Sequence, residues 1–201
     1  MSYWGQEIPD PALIAHWKLD ETTGLVATDS VGTHHGTLRG NPAWQPNAGK
    51  VKGTLLLDGV DDSVATPAVL DPSKQPLSVF AWVKGGSGGQ AIVSQASGVN
   101  WLLVAPDGTL MTELKGSGRT GKPLTSPAVI TDNAWHRVGF VWDGSHRILY
   151  VDGVEVAQDT QANLAASTGG LYLGAGSTLA PGTFWSGLID DVRIYDRAVK
   201  R

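Results

Sequence analysis

Apolar and polar residues alternate along most of this chain, and a period of two is the pattern of β-strands with one buried face. The segment LIAHWKLD, residues 13–20, has an apolar face at its odd positions and a largely polar face at its even positions. About a dozen short strands at this spacing predict an all-β fold, an antiparallel two-sheet sandwich. The other predicted strands are residues 54–59, 63–67, 77–84, 90–95, 100–105, 108–115, 134–144, 147–153, 170–175 and 185–196.

Turn-forming residues separate these segments. The 26 glycines and 11 prolines recur along the chain, which favours many short strands over helices. Asp107-Gly108 and Asp152-Gly153 each join two strand segments, and Asp-Gly predicts a type I′ turn because both positions need a positive φ. Residues 85–89, GGSGG, predict a flexible connection. Only residues 161–167, QANLAAS, suggest a short helical period.

Charge and composition exclude several kinds of partner and metal site. The net charge is −4 without a basic block, so no nucleic-acid partner is expected. No apolar run approaches membrane-spanning length, so no membrane partner is expected either. The chain contains no cysteine, which excludes disulfides and thiolate metal sites.

The N-terminal sequence lacks a charged region followed by an apolar stretch, so no signal peptide is predicted. We expect residues 1–11 to form a leader or linker and residues 12–199 to form one domain. A cytosolic protein and a piece of a longer secreted chain both fit this sequence. The end of the chain directly after a strongly patterned strand favours the second.

The stretch SGLIDDVRIYDR, residues 186–197, places a carboxylate where an apolar side chain is expected. Strict alternation puts Asp190 in line with aliphatic neighbours, whereas Asp191 and Arg193 share the other face and can pair. Burying an unpaired carboxylate is costly. Asp190 therefore needs backbone N–H donors, access to water at the strand end, or a hard cation.

Seven segments taken together closely resemble the LamG-like jelly-roll domains of the concanavalin A-like lectin/glucanase superfamily. In chain order they are HWKLDETTG, DSVGTHHGTLRG, LLLDGVDDSV, LSVFAWVK, AWHRVGFVWDG, LYVDGVEV and FWSGLIDDVRIYDRAV. The resemblance spans roughly residues 12–199. It implies two curved antiparallel sheets with adjacent first and last strands, in an extracellular or cell-surface protein with other domains in a longer parent chain.

The resemblance also implies a structural Ca²⁺ between the first and last strands. Related domains use an aspartate in a D-x-V-R-V-Y pattern, which Asp190 matches. Asp20 ends the first strand, Asp29 is a further candidate ligand, and a backbone carbonyl near Gly24 would help complete the shell. The acidic segment LDGVDDSV lacks the EF-hand spacing and is better interpreted as a polar turn.

Catalytic signatures are absent from the sequence. The glucanases that share this resemblance carry an E-x-D-x-x-E strand motif, and this chain has none. Glu113 and Glu155 stand alone, and no G-x-S-x-G motif is present. His136 is interpreted as a satisfied core or edge histidine. We therefore expect that the chain is not an enzyme, and glycoside hydrolysis is the less favoured alternative.

The eight tryptophans are the strongest candidates for sugar contacts, because indole rings stack on sugar faces. Trp17, Trp82 and Trp142 align with aliphatic residues and are predicted to be structural. The predicted binding residues are Trp44, Trp101 and Trp185, with Asn100, Arg119 and Arg137 at the edge. The favoured function is non-catalytic binding of a glycan or polysaccharide; the alternative is a protein-interaction or spacer module.

Overall fold

The computed structural model describes residues 10–116 and 121–199, which form sixteen β-strands and no helix. The strands are β1 (Leu13–Trp17), β2 (Val26–Ala27), β3 (Gly36–Arg39), β4 (Ala43–Gln45), β5 (Thr54–Asp58), β6 (Ser63–Ala65), β7 (Leu77–Gly85), β8 (Ala91–Gln95), β9 (Asn100–Val104), β10 (Thr109–Thr112), β11 (Leu124–Val129), β12 (His136–Trp142), β13 (His146–Val151), β14 (Val154–Thr160), β15 (Leu171–Leu173) and β16 (Ser186–Tyr195).

Two eight-stranded antiparallel sheets form the sandwich, so the predicted fold class is confirmed. Sheet A has the order β14-β13-β12-β7-β16-β5-β4, and β1 also pairs with β16. Sheet B has the order β11-β10-β9-β8-β15-β6-β3-β2.

Residues 161–167 form no helix, and seven residues are too few for a stable isolated helix. The described part of the chain has no helix that could cross a membrane.

The main core lies between the inner faces of the two sheets. A second apolar cluster lies on the outer face of sheet A, where Phe80 packs edge-on against Tyr195 with ring centroids 6.2 Å apart. The chain ends close over this cluster, because Asp196 N–H donates to the Ala12 carbonyl at 3.0 Å. Large members of the main core are Trp17, Trp101, Phe140, Trp185, Val192 and Ile194.

A β-bulge in β16 changes the direction of its two aspartates. The register against β7 shifts between Asp190 and Arg193, and Asp191 has a φ of 50°. Ile189 and Val192 both enter the main core, so the extra residue lies between them. The predicted alternation is wrong here, because Asp190 and Asp191 are both directed to the outer side of sheet A.

Two further side chains depart from simple alternation. The register of β1 shifts between Leu13 and Ala15, so Leu13 packs against the outer cluster rather than the main core. Trp82 was predicted to be a core residue, and this prediction is wrong. Ala81 and Val83 fill the inner positions of β7, and Trp82 is half-buried on its outer face.

The two Asp-Gly turns differ. Asp152 and Gly153 have φ values of 52° and 80°, which confirms the predicted type I′ turn. In the other hairpin only Gly108 has a positive φ, and its N–H donates to the Ala105 carbonyl at 2.9 Å. Pro106 holds φ near −65° at the second position of this turn, which favours a type I geometry.

A histidine clasp joins the loop before β12 to the β13–β14 turn. His136 Nδ1 lies 2.8 Å from an Asp152 oxygen, and Nε2 lies 3.0 Å from an Asp132 oxygen. Partial burial works to lower the pKa of His136, but the bonds to Asp152 and Asp132 outweigh it and raise the pKa. The interpretation of His136 as a satisfied core or edge histidine fits this geometry in its first part, since both ring nitrogens have partners, but β12 lies between β13 and β7 and is not an edge strand.

This clasp predicts a pH-dependent stability. Because the folded-state pKa of His136 is raised, its contribution is fully present below the unfolded value of about 6.5 and is lost as pH rises through the folded-state pKa. The free energy of unfolding, measured between pH 5.5 and 8.5, should therefore fall more steeply for the parent than for His136→Gln. Parallel profiles for the two proteins would contradict this prediction.

Candidate functional site

The candidate site lies at the point along β16 where its pairing partner changes from β5 to β1. The first half of β16 pairs with β5 as far as Ile189, and the second half pairs with β1 from Val192 onward. Asp190 stands at this change of partner, opposite Trp82 of β7, and is 0% exposed. The predicted adjacency of the first and last strands is therefore found, and it creates a gap in the sheet beside Asp190.

A loop of residues 49–53 folds over this gap. Val51 N–H donates to Asp190 Oδ2 at 2.8 Å, and Gly53 N–H donates to Asp20 Oδ1 at 2.8 Å. The loop is closed by Gly49 N–H, which donates to the Lys52 carbonyl at 2.9 Å. A single turn of chain thus connects Asp190 of β16 with Asp20, which lies three residues beyond the end of β1 rather than at the strand end as predicted.

Only one of the two carboxylate oxygens of Asp190 accepts a hydrogen bond from this loop. Its Oδ1 atom is buried and has no hydrogen-bond partner among the described residues. Burial is the largest cause that raises its pKa, to about 7; the Val51 N–H opposes the rise, and the nearby charges of Asp191 and Asp20 add to it. The site therefore combines a buried, unpaired carboxylate oxygen with two further acidic groups, which is a chemistry that a hard cation would stabilise.

A polar cleft of about 250 Å³ lies beside the loop. Within it, His16 Nε2 is 2.7 Å from Asp191 Oδ1, and Arg193 Nε is 3.1 Å from Asp191 Oδ2. Burial works to raise the pKa of Asp191, but His16 and Arg193 outweigh it and lower the pKa. The residues that line the cleft are His16, Lys18, Asp20, Val51, Lys52, Asp191 and Arg193.

The structure brings Asp20 and Asp190 together but places Asp29 elsewhere. The His16 N–H donates to Asp29 Oδ1 at 3.0 Å, and the His16 carbonyl accepts from Ser30 N–H at 2.8 Å. Asp29 therefore lies along the edge of β1 that faces away from β16, about two strand spacings, or roughly 10 Å, from that strand.

Asp29 already has a complete set of donors. Its oxygens also accept backbone N–H groups of Val31 and His34, at 3.1 and 3.0 Å. Burial works to raise the pKa of Asp29, but these backbone bonds outweigh it and lower the pKa. The Gly24 carbonyl accepts the Trp44 indole N–H at 2.9 Å. We leave Asp29 and Gly24 out of the candidate ligand set on this geometry.

The predicted sugar-binding tryptophans are mostly buried. Trp101 and Trp185 are 0% exposed and belong to the main core, so neither offers a ring face to a ligand. The strand of Trp101, β9, carries apolar residues at successive positions, so the sequence pattern did not separate its inner face from its outer one, and Trp185 lies just before β16. Trp44 is half-buried, and its N–H is engaged by Gly24.

The polar candidates are scattered as well. Asn100 donates to Glu113 at 2.9 Å and accepts from Ser177 N–H at 3.0 Å, so its amide is used within the protein. Arg137 lies on the outer face of sheet A with its guanidinium 4.9 Å from the Phe80 ring centroid. Arg119, and residues 1–9 of the predicted leader, lie outside the described residues.

The aromatic ring that sequence reasoning missed is Trp82. It is half-buried on the outer face of sheet A, with Asp190 opposite on one side and Arg137 opposite on the other. The Lys50 ammonium lies 5.0 Å from its ring centroid. We call Trp82, Lys50 and Arg137 the Trp82 patch. Its only sequence signal was the even position of Trp82 in a strand whose odd positions are all aliphatic.

The acidic segment after β5 forms a separate cluster. Asp58, Asp61 and Asp62 each place a carboxylate oxygen within 4.8 Å of the other two. Asp62 accepts the backbone N–H groups of Asn41 and Asp58, at 2.6 and 3.0 Å. These bonds fit the interpretation of this segment as a polar turn between two strands.

Comparison with known proteins places the chain in a family. Residues 58–201 match the laminin G-type family model described as the concanavalin A-like lectin/glucanases superfamily. The match covers more than half of the chain, so the chain belongs to this family. Among curated protein sequences, none matches it.

Solved structures with this fold include several binding domains. Domain 4 of AbnA, an extracellular GH43 arabinanase from Geobacillus stearothermophilus in complex with arabinotriose, is 23% identical with a TM-score of 0.66, and the match covers 93% of both chains. The binding domain of Paraclostridial Mosquitocidal Protein 1 has 13% identity and a TM-score of 0.73, over 93% of this chain and 49% of that one.

The botulinum neurotoxin serotype D ligand-binding domain, in complex with N-acetylneuraminic acid, has 16% identity and a TM-score of 0.68. That match covers 94% of this chain and 48% of the toxin chain, so the chain spans about half of it. At these identities the likeness concerns the fold.

The loop over Asp190 predicts that residue 49 must be glycine. A Cβ on Gly49 would stand 1.8 Å from the Gly53 carbonyl oxygen and 2.8 Å from Asp190 Oδ2. Gly49→Ala should therefore lower the free energy of unfolding by about 1–3 kcal/mol in guanidinium titrations, because the loop must move.

Val51→Ala is the control for this prediction, because Val51 is 43% exposed in the same loop. It should change the free energy of unfolding by less than about 0.5 kcal/mol. A Gly49→Ala protein as stable as Val51→Ala would show that the loop is not packed tightly on Asp190.

Proposed function

We propose that this domain is a non-catalytic carbohydrate-binding module, and that it binds a glycan or polysaccharide at the Trp82 patch. The observation that carries this proposal is a half-buried indole on the outer face of sheet A, with the Lys50 ammonium over its ring and Arg137 opposite it on β12. Indole faces stack on sugar rings, and flexible cations donate hydrogen bonds to hydroxyl groups. The sugar-bound structures that share the fold support the same class of ligand.

The neighbouring cleft extends this surface with polar groups. It lies on the same outer side of sheet A, across the 49–53 loop from Trp82, and offers Lys18, Lys52 and Arg193. One shallow module of this kind binds weakly, because few contacts must offset the loss of ligand freedom. Other binding domains in a longer extracellular or surface protein would add avidity, and we infer that context for this chain.

The carboxylates of the cleft support binding rather than hydrolysis. A glycosidase needs a carboxylic acid with a raised pKa facing a second carboxylate across the substrate. Asp20 and Asp191 both line the cleft, but the pKa of Asp191 is lowered by His16 and Arg193, which keeps it ionised. Asp190, whose pKa is raised, is completely buried under the loop.

We also propose that a structural Ca²⁺ binds at Asp190, with Asp20 as the second carboxylate ligand. The buried Asp190 Oδ1 without a partner, and the hydrogen bond between Asp20 and the same loop, fit an oxygen-ligand site. The ion would neutralise the buried charge and hold β1, β16 and the 49–53 loop together. Backbone carbonyls and water would complete its shell.

The Ca²⁺ proposal predicts opposite effects of one variant in two buffers. With Ca²⁺ at 100 times its Kd, the parent should gain about 2.7 kcal/mol, which is a rise of roughly 5–10 °C in Tm. Asp190→Asn should show no such rise. In EDTA the same variant should be at least as stable as the parent, because it removes a buried charge.

Two matched aspartates locate the ion in this experiment. Asp29→Asn and Asp61→Asn should keep the full Ca²⁺-dependent rise in Tm, because neither residue belongs to the proposed site. A rise that is lost in Asp61→Asn would move the ion to the acidic turn. If Ca²⁺ does not raise the Tm of the parent, the Ca²⁺ proposal is wrong and Asp190 is a structural acid held by hydrogen bonds.

The sugar-binding proposal predicts that replacing Trp82 weakens sugar binding and that replacing Trp135 does not. Calorimetric titration with the best ligand from an oligosaccharide array that includes arabinotriose and sialyllactose should give a measurable Kd for the parent. Trp82→Ala should weaken binding roughly 5- to 150-fold, because one stacked ring contributes on the order of 1–3 kcal/mol.

Trp135→Ala is the control, since Trp135 is also half-buried but lies in the loop before β12. It should bind the ligand as the parent does. Equal binding by Trp82→Ala and the parent would exclude the Trp82 patch. Failure of every sugar on the array to bind would favour the spacer or protein-interaction module instead.

A further inference from the structure

The polar cleft of about 250 Å³ is rich in cations, although the chain as a whole carries a net charge of −4. Its lining contains three basic side chains, those of Lys18, Lys52 and Arg193. In the same loop as Lys52, the Lys50 ammonium lies 5.0 Å from the Trp82 ring centroid. Positive charge that is gathered on one side of an acidic protein attracts anions to that side.

The two carboxylates in the lining of the cleft do not balance these cations. Asp191 is shared by two partners, since Oδ1 lies 2.7 Å from His16 Nε2 and Oδ2 lies 3.1 Å from Arg193 Nε. Its charge is therefore compensated within the protein. Asp20 is the other carboxylate of the lining, and its Oδ1 atom accepts the Gly53 N–H at 2.8 Å. An anion that enters the cleft meets more positive than negative charge.

The two lysines of the cleft are exposed, and the backbone that carries them is held in place. Lys18 lies between Trp17 and Leu19, which are 0% and 1% exposed, so its own side chain is directed away from the core. Lys52 has a φ of 66°, and its carbonyl accepts the Gly49 N–H that closes the loop. Neither ammonium group bonds to any residue that the structure describes, so both charges are available to a ligand.

We propose that the sugar bound at the Trp82 patch carries an anionic group, a carboxylate or a sulfate, and that Lys18 and Lys52 bind this group in the cleft. The inference rests on the proposed sugar-binding function and names its ligand class, an acidic glycan. Hydrogen bonds between ammonium groups and anionic oxygens are roughly twice as strong as those between neutral groups, so the cleft favours an acidic sugar over a neutral one.

One ligand can reach both the ring and the cleft. Lys50 and Lys52 are two residues apart in the loop, so their Cα atoms are separated by at most about 7 Å. The Lys50 side chain extends to the Trp82 ring, whereas Lys52 lines the cleft. A sugar stacked on the ring therefore places a neighbouring acidic group within reach of the lysines.

The test compares sugars that differ in charge: trigalacturonate with its methyl ester, and dextran sulfate with dextran. In calorimetric titrations the parent protein should bind the charged member of at least one pair about threefold or more tightly than the neutral member. The first pair reports a carboxylate ligand and the second a sulfate ligand. Equal affinity within both pairs, or no binding of any of the four sugars, would overturn the inference.

Salt provides a second readout of the same interaction. Raising NaCl from about 0.1 to 1 M shortens the Debye length from about 10 to 3 Å, which screens exposed charges. Binding of the charged sugar should weaken over this range, and binding of a neutral sugar should not change. Affinity for the charged sugar that is independent of salt would contradict the role of the lysines.

A double variant locates the anion in the cleft. Lys18→Gln/Lys52→Gln should weaken binding of the charged sugar roughly 2- to 30-fold, the range expected when two exposed ion pairs are removed. Lys74→Gln/Lys122→Gln is the matched control, because it removes the same charge at two exposed positions outside the cleft and the Trp82 patch. Equal binding of the charged sugar by the two double variants would overturn the inference.

Trp82→Ala separates this inference from the proposed function. If both hold, Trp82→Ala and Lys18→Gln/Lys52→Gln each weaken binding of the charged sugar. If only the lysine double variant weakens it, the cleft is supported as the anion site and the Trp82 patch is not the sugar site. If only Trp82→Ala weakens it, the proposed function stands and the inference about the lysines is wrong.

Discussion

The architecture depends on one constraint: a carboxylate is buried where the last strand passes from one neighbour to another. Asp190 lies at the point where β16 leaves β5 and joins β1, and water does not reach it. The 49–53 loop donates the Val51 N–H to Asp190 and the Gly53 N–H to Asp20, and these two contacts tie the loop to β16 and to the segment after β1. Because the second oxygen is left unpaired, this junction is also where a bound cation would contribute most to stability.

The same junction organises the outer face of sheet A. On one side of it, the chain ends cover Phe80 and Tyr195, so this part of the face is closed. On the other side, Trp82 is half-buried, and the Lys50 ammonium lies 5.0 Å from its ring centroid. The half-buried Trp82 therefore lies on the same outer side of sheet A as the polar cleft, while Trp17, Trp101, Trp142 and Trp185 belong to the main core.

Much of the fold could be predicted from local pattern, and most of the candidate site could not. Alternation, turn residues and motif order indicated the antiparallel sandwich and the pairing of the first and last strands. The strand with Pro127 was missed because proline opposes strand formation, and β11 is indeed an edge strand, where proline is tolerated. Trp101 was misplaced because a strand that is apolar at successive positions carries no signal of which face is inner, and Trp185 because it lies before β16, outside any strand pattern.

The sequence by itself determined the class of fold, the absence of disulfides and the unusual carboxylate at position 190, since each follows from residue type and spacing. Only the tertiary structure decided where that carboxylate points, because one extra residue in β16 puts Ile189 on the inner face and Asp190 on the outer face, while Val192 and Ile194 keep the faces that alternation predicts. The tertiary structure also separated Asp29 from Asp190 and exposed Trp82. These outcomes depend on which strands become neighbours, and that information is spread over contacts between residues far apart in the chain.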